Sequence, residues 1–225
     1  MMSSSSSSSS VIARTGRQRQ LYENEYRLVA GCIPFRFKTL VEDPAAYLEN
    51  RLQVLMISSP GRDDLVFPKG GWENDETVEE AACREALEEA GVRGILSKDR
   101  LGVWEFRSKS RQNSCSLEGI CRGYMFSLEV TEELDSWPEE DNHGRIWLSI
   151  EEAFRRSRYD WMRGALERFL IVMSETLECQ RESQMRGDLV APVTELLPEH
   201  KILIPSCFEK PSVTQRIDER LFVLG

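Results

Sequence analysis

The sequence predicts an α/β fold, of the α+β type, in which helices cover a mixed β-sheet. Two segments rich in branched and aromatic residues, Tyr26–Phe37 and Leu52–Ile57, have the composition of buried strands. A helix with clear start and stop signals, Val78–Ala90, follows them, and further strand and helix patterns come after it. Strands and helices in this mixed order favour a sheet packed between helices.

Residues 1–20 are rich in serine and arginine and contain no acidic residue. Serine runs of this kind are typical of disordered chain, so we expect a disordered N-terminal segment. The same composition is typical of organelle transit peptides, and a mitochondrial address and a plain tail in a cytoplasmic protein are both consistent with it. The six cysteines include no CxxC pair, which indicates reduced thiols in an intracellular protein.

The main domain is predicted over residues 21–179. Residues 65–67 have the pattern of a short strand that Pro68 ends before a glycine loop. Later segments complete the domain, with strands predicted at 103–106, 123–130 and 146–148 and helices at Ile150–Arg156 and 161–177. Residues 180–225 lose this patterning, and we expect an irregular or disordered extension.

The Val78–Ala90 helix has well-defined ends. Thr77 and Glu80 have the spacing of a capping box, in which each side chain accepts a hydrogen bond from the other residue's backbone N–H. Gly91 is suited to the left-handed conformation that ends many helices. The positions of side chains around this helix can therefore be assigned from the sequence.

Carboxylates lie together on this helix. Glu85 and Glu89 are four residues apart and share a face, beside small and apolar residues. We expect Glu88 at the border of that face and Arg84 on a more solvated side. Clustered carboxylates repel each other, a divalent cation removes the repulsion, and an all-oxygen ligand set favours Mg²⁺ or Mn²⁺ over zinc.

Residues 70–92 resemble the Nudix box, which reads Gly, five residues, Glu, seven residues, Arg-Glu, two residues, Glu-Glu, one residue, Gly and a hydrophobic residue. The matching positions are Gly70, Glu76, Arg84, Glu85, Glu88, Glu89, Gly91 and Val92. Ala86 is smaller than the aliphatic residue usual at its position. The resemblance implies a Nudix-type αβα sandwich and the hydrolysis of a diphosphate linkage by metal-activated water.

The resemblance also implies a role for each box residue. Glu85 and Glu89 would be the principal ligands of Mg²⁺, or of Mn²⁺ in its place, and Glu88 would be a further ligand or help to activate water. Arg84 would pair with Glu76 or orient the glutamates. Gly70 would offer its carbonyl to the metal or leave room for phosphate.

Segments outside the box are similar to the diphosphoinositol polyphosphate and diadenosine polyphosphate phosphohydrolases, and to plant members of that group in particular. They are residues 13–15, 26–27, 58–59 and 142–145 with Trp147, and the tract 55–71 carries much of the likeness. Lys69 stands where the animal members have a glycine. The substrate contacts expected from this frame and from nearby basic residues are Arg14, Arg27, Ser58, Ser59, Lys69, Gly70, Gly71, Arg107, Arg122 and Arg145, with Lys109 and Arg111 close to them in sequence.

The charge balance favours a small anionic substrate over a polymer. A net charge of −9 makes nucleic acid an unsuitable partner, and no apolar run is long enough to span a membrane. Arginine and lysine side chains within this acidic chain suit a molecule that carries many phosphates. The sequence leaves the oligomeric state open.

Several substrate classes fit these residues. Diadenosine polyphosphates, such as diadenosine hexaphosphate, and diphosphoinositol polyphosphates are the expected ones. Four aromatic residues either stack on an adenine or pack in the core: Trp72, Trp104, Phe106 and Trp147. The alternatives are a hydrolase of other nucleoside diphosphate derivatives, such as ADP-ribose or NADH, and a non-catalytic Nudix-fold module that binds a ligand.

Overall fold

A computed structural model describes residues 13–38, 48–107 and 119–187. The elements in these ranges are, in chain order, β1 (Tyr22–Glu23), β2 (Tyr26–Phe37), α1 (Leu48–Arg51), β3 (Leu52–Ile57), β4 (Lys69–Gly71), α2 (Val78–Ala90), β5 (Val92–Leu96), β6 (Gly102–Arg107), β7 (Ile120–Glu133), β8 (Arg145–Ser149), α3 (Ile150–Arg156) and α4 (Asp160–Gly187).

The strands form one mixed sheet. β2 runs parallel to β7, with Val29 opposite Gly123, and antiparallel to β1, β3 and β4. β8 pairs with β3, while β5 and β6 pair with β7, all antiparallel. The long strands β2 and β7 therefore form the centre of the sheet, and the predicted mixed sheet is confirmed.

Helices cover both faces of the sheet. Cys32 of β2 is close enough to Cys83 of α2 for the two thiols to interact electrostatically. Phe35 of the same strand packs on Phe169 of α4, with ring centroids 5.2 Å apart. Residues three apart on a strand point to opposite faces, so α2 and α4 lie on opposite sides of the sheet. The helix–sheet–helix arrangement expected from the sequence is confirmed.

The structure differs from the prediction around the glycine segment. Residues 65–67 make only isolated bridges, Val66 with Ile57 and Leu65 with Ser157. The regular strand begins after Pro68, at β4, where Gly70 pairs with Ala30 of β2. Glycine has a low strand propensity, so the sequence indicated a loop. Strand β5, which starts directly after the helix end at Gly91, was also not predicted.

The two predicted domain boundaries fall inside folded structure. The predicted helix end at residue 177 is wrong, because α4 continues to Gly187 and so crosses the predicted boundary at residue 180. Residues 13–20 were assigned to a disordered segment, but Asn74 N–H donates to the Arg19 carbonyl at 2.9 Å and the Arg14 side chain contacts Glu73. The remaining parts of both terminal predictions, 1–12 and 188–225, lie outside the described residues.

The thiol prediction agrees with the structure as far as it is described. Four cysteines are free: Cys32, Cys83, Cys121 and Cys179. Among the described helices, none has the length and apolar character needed to cross a bilayer.

Candidate active site

Helix α2 carries the carboxylates of the site. Its capping box at Thr77 and Glu80 and its left-handed end at Gly91 are both present as predicted. Glu85 and Glu88 are only 7% and 4% exposed, and the Glu89 side chain is 16% exposed. The expectation that Glu88 lies at the border of the buried face is therefore wrong, and the three carboxylates are all largely removed from water.

Arg84 lies at the centre of this cluster, and the expectation that it faces solvent is wrong. Its side chain is 13% exposed. The guanidinium donates to both oxygens of Glu76 at 2.8 and 2.9 Å and to Glu85 Oε1 at 2.7 Å. It also reaches the Gly71 carbonyl at 2.8 Å and Glu88 at 3.3 Å. The pairing with Glu76 and the contact with the glutamates agree with the roles that the box implies.

The cluster has more carboxylates than cations, and burial makes their ionisation costly. Burial and the neighbouring Glu89 raise the pKa of Glu85, although Arg84 opposes the shift. Burial also raises the pKa of Glu88 and of Glu89. For Arg84, burial lowers the pKa, but the hydrogen bonds and charges of Glu76 and Glu85 outweigh it and raise the pKa overall. Because one guanidinium faces several carboxylates, the donor set fits a hard divalent cation that binds oxygen ligands.

The glycines of β4 allow close packing around these side chains. A Cβ atom on Gly70 would lie 2.1 Å from Glu85 Oε2, so the Glu85 carboxylate occupies the space that we expected for phosphate. A Cβ atom on Gly71 would lie 2.1 Å from Gln20 Oε1 and 2.8 Å from Arg27 Nη2. A side chain at either position would therefore displace the polar groups that now lie against the strand.

A cleft of about 210 Å³ opens beside Glu89. Five of the predicted substrate residues line it: Arg27, Ser59, Lys69, Gly70 and Arg107. Lys69 N–H also donates to Glu89 Oε2 at 2.7 Å, which fixes the carboxylate at the wall of the cleft. The structure therefore brings basic residues and one box carboxylate into a single cavity.

The other predicted contacts lie elsewhere or have protein partners. Arg145 donates to the carbonyls of Ala90 and Gly91 at 3.3 and 3.1 Å and stacks over Trp137, so it caps the end of α2. Arg122 pairs with Glu23 at 2.5 Å and Glu105 at 3.2 Å on the surface. Neither arginine is among the residues that line the cleft, so the predicted substrate contact of each stays a prediction.

Arg14 and Ser58 support the site from its edges. Arg14 pairs with Glu73 at 2.7 Å and Asp75 at 3.0 Å, and its guanidinium also lies 3.7 Å from Glu76 Oε2. Ser58 Oγ accepts from Gly144 N–H at 3.1 Å. Lys109 and Arg111 lie outside the described residues.

The aromatic residues divide between packing and the cleft. Trp72 donates its indole N–H to the Glu76 carbonyl at 3.0 Å, and Trp147 lies under the Arg36 guanidinium. Trp104 packs against the hydrophobic core. Phe106 lines the cleft and stacks on Trp161, with ring centroids 4.6 Å apart.

Sequence reasoning missed several residues of the site. Arg158, Tyr159 and His143 line the cleft, and Glu139 lies 3.4 Å from His143 Nε2. Arg158 precedes α4 in a turn, where no pattern distinguishes it from other surface arginines. His143 is one of two histidines in the chain and lies in the segment 142–145 that resembles the phosphohydrolases, but only Arg145 of that segment was predicted as a substrate contact.

The chain was also compared with known proteins. The family model of the NUDIX domain matches residues 43–169. The chain is 60% identical over 179 residues to "Nudix hydrolase 13, mitochondrial" of Arabidopsis thaliana. The alignment covers 78% of this chain and 89% of that protein. It is 34% identical over 142 residues to diphosphoinositol polyphosphate phosphohydrolase 3-alpha of Mus musculus, which covers 61% and 74%.

Among solved structures, a C. elegans Ap4A hydrolase binary complex aligns with a TM-score of 0.48 and 18% identity, over 66% of this chain and 98% of that one. The family match extends over more than half of the chain, and in the structure Arg84 donates hydrogen bonds to Glu76 and Glu85. The chain belongs to the Nudix family and is a hydrolase that acts on pyrophosphate bonds.

Proposed function

We propose that this enzyme cleaves a diphosphate linkage in a highly phosphorylated small molecule, with Mg²⁺ as its cofactor. The observation that carries the proposal is the position of Glu89. It belongs to the carboxylate cluster of α2, and it also lines the cleft that contains Arg27, Lys69 and Arg107. A phosphate chain bound by these cations would therefore lie against the carboxylates.

The residues of the cluster fit the cofactor. Glu85, Glu88 and Glu89 would hold Mg²⁺, or Mn²⁺ in its place, through carboxylate oxygens, and the Gly70 carbonyl is a further candidate ligand. The bound ion would lower the pKa of a water molecule and neutralise charge on the phosphoryl oxygens. Arg84 would keep the carboxylates in place through its bonds to Glu76 and Glu85.

The basic wall of the cleft, formed by Arg27, Lys69, Arg107 and Arg158, would favour substrates that carry several phosphates. Arg27 is held by Gln20 Oε1 at 2.6 Å, and Arg158 is only 5% exposed and pairs with Asp64 at 2.8 Å. Guanidinium groups that are already oriented bind phosphate with a smaller loss of side-chain entropy. We therefore propose diphosphoinositol polyphosphates and diadenosine polyphosphates as the substrate classes, and the name of the mouse relative supports the first.

Diadenosine polyphosphates, such as diadenosine hexaphosphate, are favoured by a separate observation. Phe106 and Tyr159 are on the wall of the same cleft as the basic residues. An aromatic ring beside a phosphate site provides a surface on which an adenine can stack. An inositol ring offers no flat π-face, so this feature would be unused with an inositol pyrophosphate.

A kinetic comparison tests the substrate class. Purified protein with Mg²⁺ is given inositol pyrophosphates, diadenosine polyphosphates, ADP-ribose and NADH at equal concentrations, and kcat/KM is measured for each. We expect the first two classes to exceed ADP-ribose and NADH by at least roughly tenfold, since the latter two carry fewer phosphates for the basic wall. Comparable rates for ADP-ribose would contradict this assignment, and tight binding without turnover of any compound would indicate a binding module.

We also propose a mitochondrial location. The Arabidopsis relative is named as mitochondrial, and residues 1–20 have the Ser- and Arg-rich composition of a transit peptide. Imaging of the full chain with a fluorescent protein at its C-terminus tests this. Signal outside mitochondria would contradict the proposal.

A further inference from the structure

Three aromatic rings lie nearly parallel beside the cleft. Phe106 stacks on Trp161, with ring centroids 4.6 Å apart and 13° between the ring planes. Tyr159 lies along the same indole, with centroids 6.5 Å apart and 14° between the planes. Phe106 and Tyr159 line the cleft, whereas Trp161 is not among the residues that line it. Trp161 is therefore the common neighbour of the two rings that a ligand can reach.

The fold fixes the position of Trp161. It is the second residue of α4 and packs against the hydrophobic core, and the next residue, Met162, is fully buried. The turn before α4 is anchored by its backbone, because Arg158 N–H donates to the Leu65 carbonyl at 3.1 Å and Met162 N–H donates to the Tyr159 carbonyl at 3.0 Å. The indole is therefore held by a helix and the core, as a preorganised site requires.

A glycine also determines where the Phe106 ring lies. A Cβ atom on Gly123 of β7 would lie 2.6 Å from Phe106 Cε1, so the ring lies directly over the backbone of that strand. Gly123 is in register with Trp104, two residues before Phe106 on β6. Two contacts therefore set the position of the Phe106 ring, one with Gly123 of β7 and one with Trp161 of α4.

Rings that are fixed in this way suit a flat base. Purine bases stack on aromatic side chains, and less entropy is lost when the protein ring is already ordered before the ligand binds. Phe106 and Tyr159 share the cleft with Arg27, Lys69 and Arg158. The base and the phosphates of one nucleotide would therefore be bound together, whereas a phosphorylated inositol would use the basic residues alone.

We propose that Trp161 is a positioning residue that holds Phe106 and Tyr159 for stacking on a purine base. It thereby sets the preference of the cleft for dinucleoside polyphosphates over inositol pyrophosphates. Trp161 acts through the two rings and does not touch the substrate itself. The inference rests on the proposed function, because the phosphates of the same molecule bind the basic wall of the cleft.

Steady-state kinetics of the full chain test the role of Trp161. Trp161→Leu removes the flat ring, Trp161→Phe keeps a smaller one, and Gly123→Ala displaces the Phe106 ring without changing Trp161. Trp147→Leu is the matched control, because Trp147 lies under the Arg36 guanidinium and is not among the residues that line the cleft. Each protein is given diadenosine hexaphosphate and an inositol pyrophosphate, and kcat and KM are measured for both.

We expect Trp161→Leu to lower kcat/KM for diadenosine hexaphosphate roughly 3–10-fold, mainly through KM, and to change the value for the inositol pyrophosphate by less than about twofold. Trp161→Phe should recover most of the loss, and Trp147→Leu should leave the ratio of the two substrates unchanged. Gly123→Ala should reproduce the selective loss, which keeps the test valid if Trp161→Leu does not fold. An equal loss for both substrates, or an unchanged ratio in these variants, would overturn the positioning role.

Binding of AMP and of inorganic phosphate separates this proposal from the proposed function, because neither probe contains a diphosphate linkage. NMR titration should show that Trp161→Leu weakens AMP binding by a similar factor and leaves phosphate binding unchanged. This result without hydrolysis of any substrate in the panel would support the positioning role and contradict the proposed function. Hydrolysis of the panel with equal AMP affinity in the wild type and Trp161→Leu would leave the proposed function intact and overturn the positioning role.

Discussion

Arg84 holds Glu76 in a two-point ion pair, with Nε 2.9 Å from Oε2 and Nη2 2.8 Å from Oε1. Glu76 also accepts the Glu73 N–H at 3.1 Å, and Arg84 continues to Glu85 and to the Gly71 carbonyl. One guanidinium therefore connects the loop before α2, the glycine strand and the carboxylates of α2. The position of Glu85 depends on this connection.

Arg84→Lys keeps the positive charge and removes the forked geometry. We expect a loss of about 2 kcal/mol in the free energy of unfolding, because buried charged groups lose hydrogen bonds. We expect kcat to fall by roughly 10–100-fold, as when a partner of a metal ligand is removed. Urea unfolding and steady-state kinetics measure the two effects.

The control for this change is Arg93→Lys. Arg93 pairs with Glu132 at 3.1 Å, but both side chains are 50% exposed. An exposed pair contributes little, so stability should change by less than about 0.5 kcal/mol and kcat should stay the same. Equal effects of the two substitutions would show that the Arg84 network has no special role.

Gly70→Ala places a methyl group where the Glu85 carboxylate lies, 2.1 Å from Oε2. The carboxylate must move, and a displacement of about 1 Å at a catalytic group can reduce the rate roughly 100-fold. We expect the variant to fold and to lose most of its kcat. Circular dichroism and single-turnover kinetics distinguish a displaced ligand from an unfolded protein.

Gly164→Ala is the matched glycine control. A Cβ atom there would lie 3.4 Å from Trp104 Nε1, which is an ordinary contact, and the residue is within α4. Alanine favours a helix over glycine, so stability should stay the same or rise by up to about 1 kcal/mol. Activity equal to wild type in Gly70→Ala would contradict the packing of Glu85 against β4.

The buried carboxylates make the stability of the metal-free protein depend on pH. Burial, together with Glu89, raises the pKa of Glu85 from 4.5 to about 8. Between these values the folded state binds more protons than the unfolded state, so the free energy of unfolding falls as pH rises. A divalent cation binds the ionised carboxylates, so Mg²⁺ should raise Tm more at about pH 8 than at about pH 5.5.

Thermal unfolding with EDTA or Mg²⁺ at the two pH values measures this linkage. Glu85→Gln should reduce the fall in stability with pH and reduce the effect of Mg²⁺, because the amide cannot ionise. An equal rise in Tm at both pH values, or an unchanged pH slope in Glu85→Gln, would show that the buried carboxylates do not bind the cation.

The segment from residue 13 to Gln20 should be required for full stability. Gln20 Nε2 donates to the carbonyls of Leu28 at 2.8 Å and Trp72 at 3.1 Å, and Arg14 pairs with Glu73. Deletion of residues 1–20 should therefore lower the free energy of unfolding by about 1–3 kcal/mol through lost hydrogen bonds. It should also weaken substrate binding, because Arg27 loses its partner Gln20. Deletion of residues 1–12 removes none of these contacts and is the control. Equal KM and stability for the two truncations would contradict this role.

The sequence predicted those features that depend on local pattern. The capping box at Thr77, the helix end at Gly91 and the shared face of Glu85 and Glu89 all follow from positions close together in the chain. The box motif also predicted the pairing of Arg84 with Glu76. Helix geometry alone placed Arg84 on the solvated side, because it takes no account of the length of the arginine side chain.

Features that depend on distant contacts were not predicted. β4 is a strand because it pairs with β2 and packs against Glu85. These contacts outweigh the low strand propensity of Gly70 and Gly71. The contact of Arg145 with the Gly91 carbonyl at the end of α2 joins residues 54 positions apart, and no local pattern indicated it. His143 joined the site only when the loop before β8 met Ser58 and Glu89.

The rate of Mg²⁺-dependent hydrolysis tests most directly whether the α2 carboxylates support metal-dependent catalysis. It is measured as nucleotide products from a diadenosine polyphosphate and as phosphate release from an inositol pyrophosphate. The wild-type protein, Glu85→Gln and Glu89→Gln are compared after each is shown to be folded. We predict turnover that requires Mg²⁺ in the wild type, and a loss of at least roughly 100-fold in each variant. Turnover in either variant at the wild-type rate, or wild-type turnover that EDTA does not reduce, would contradict the account.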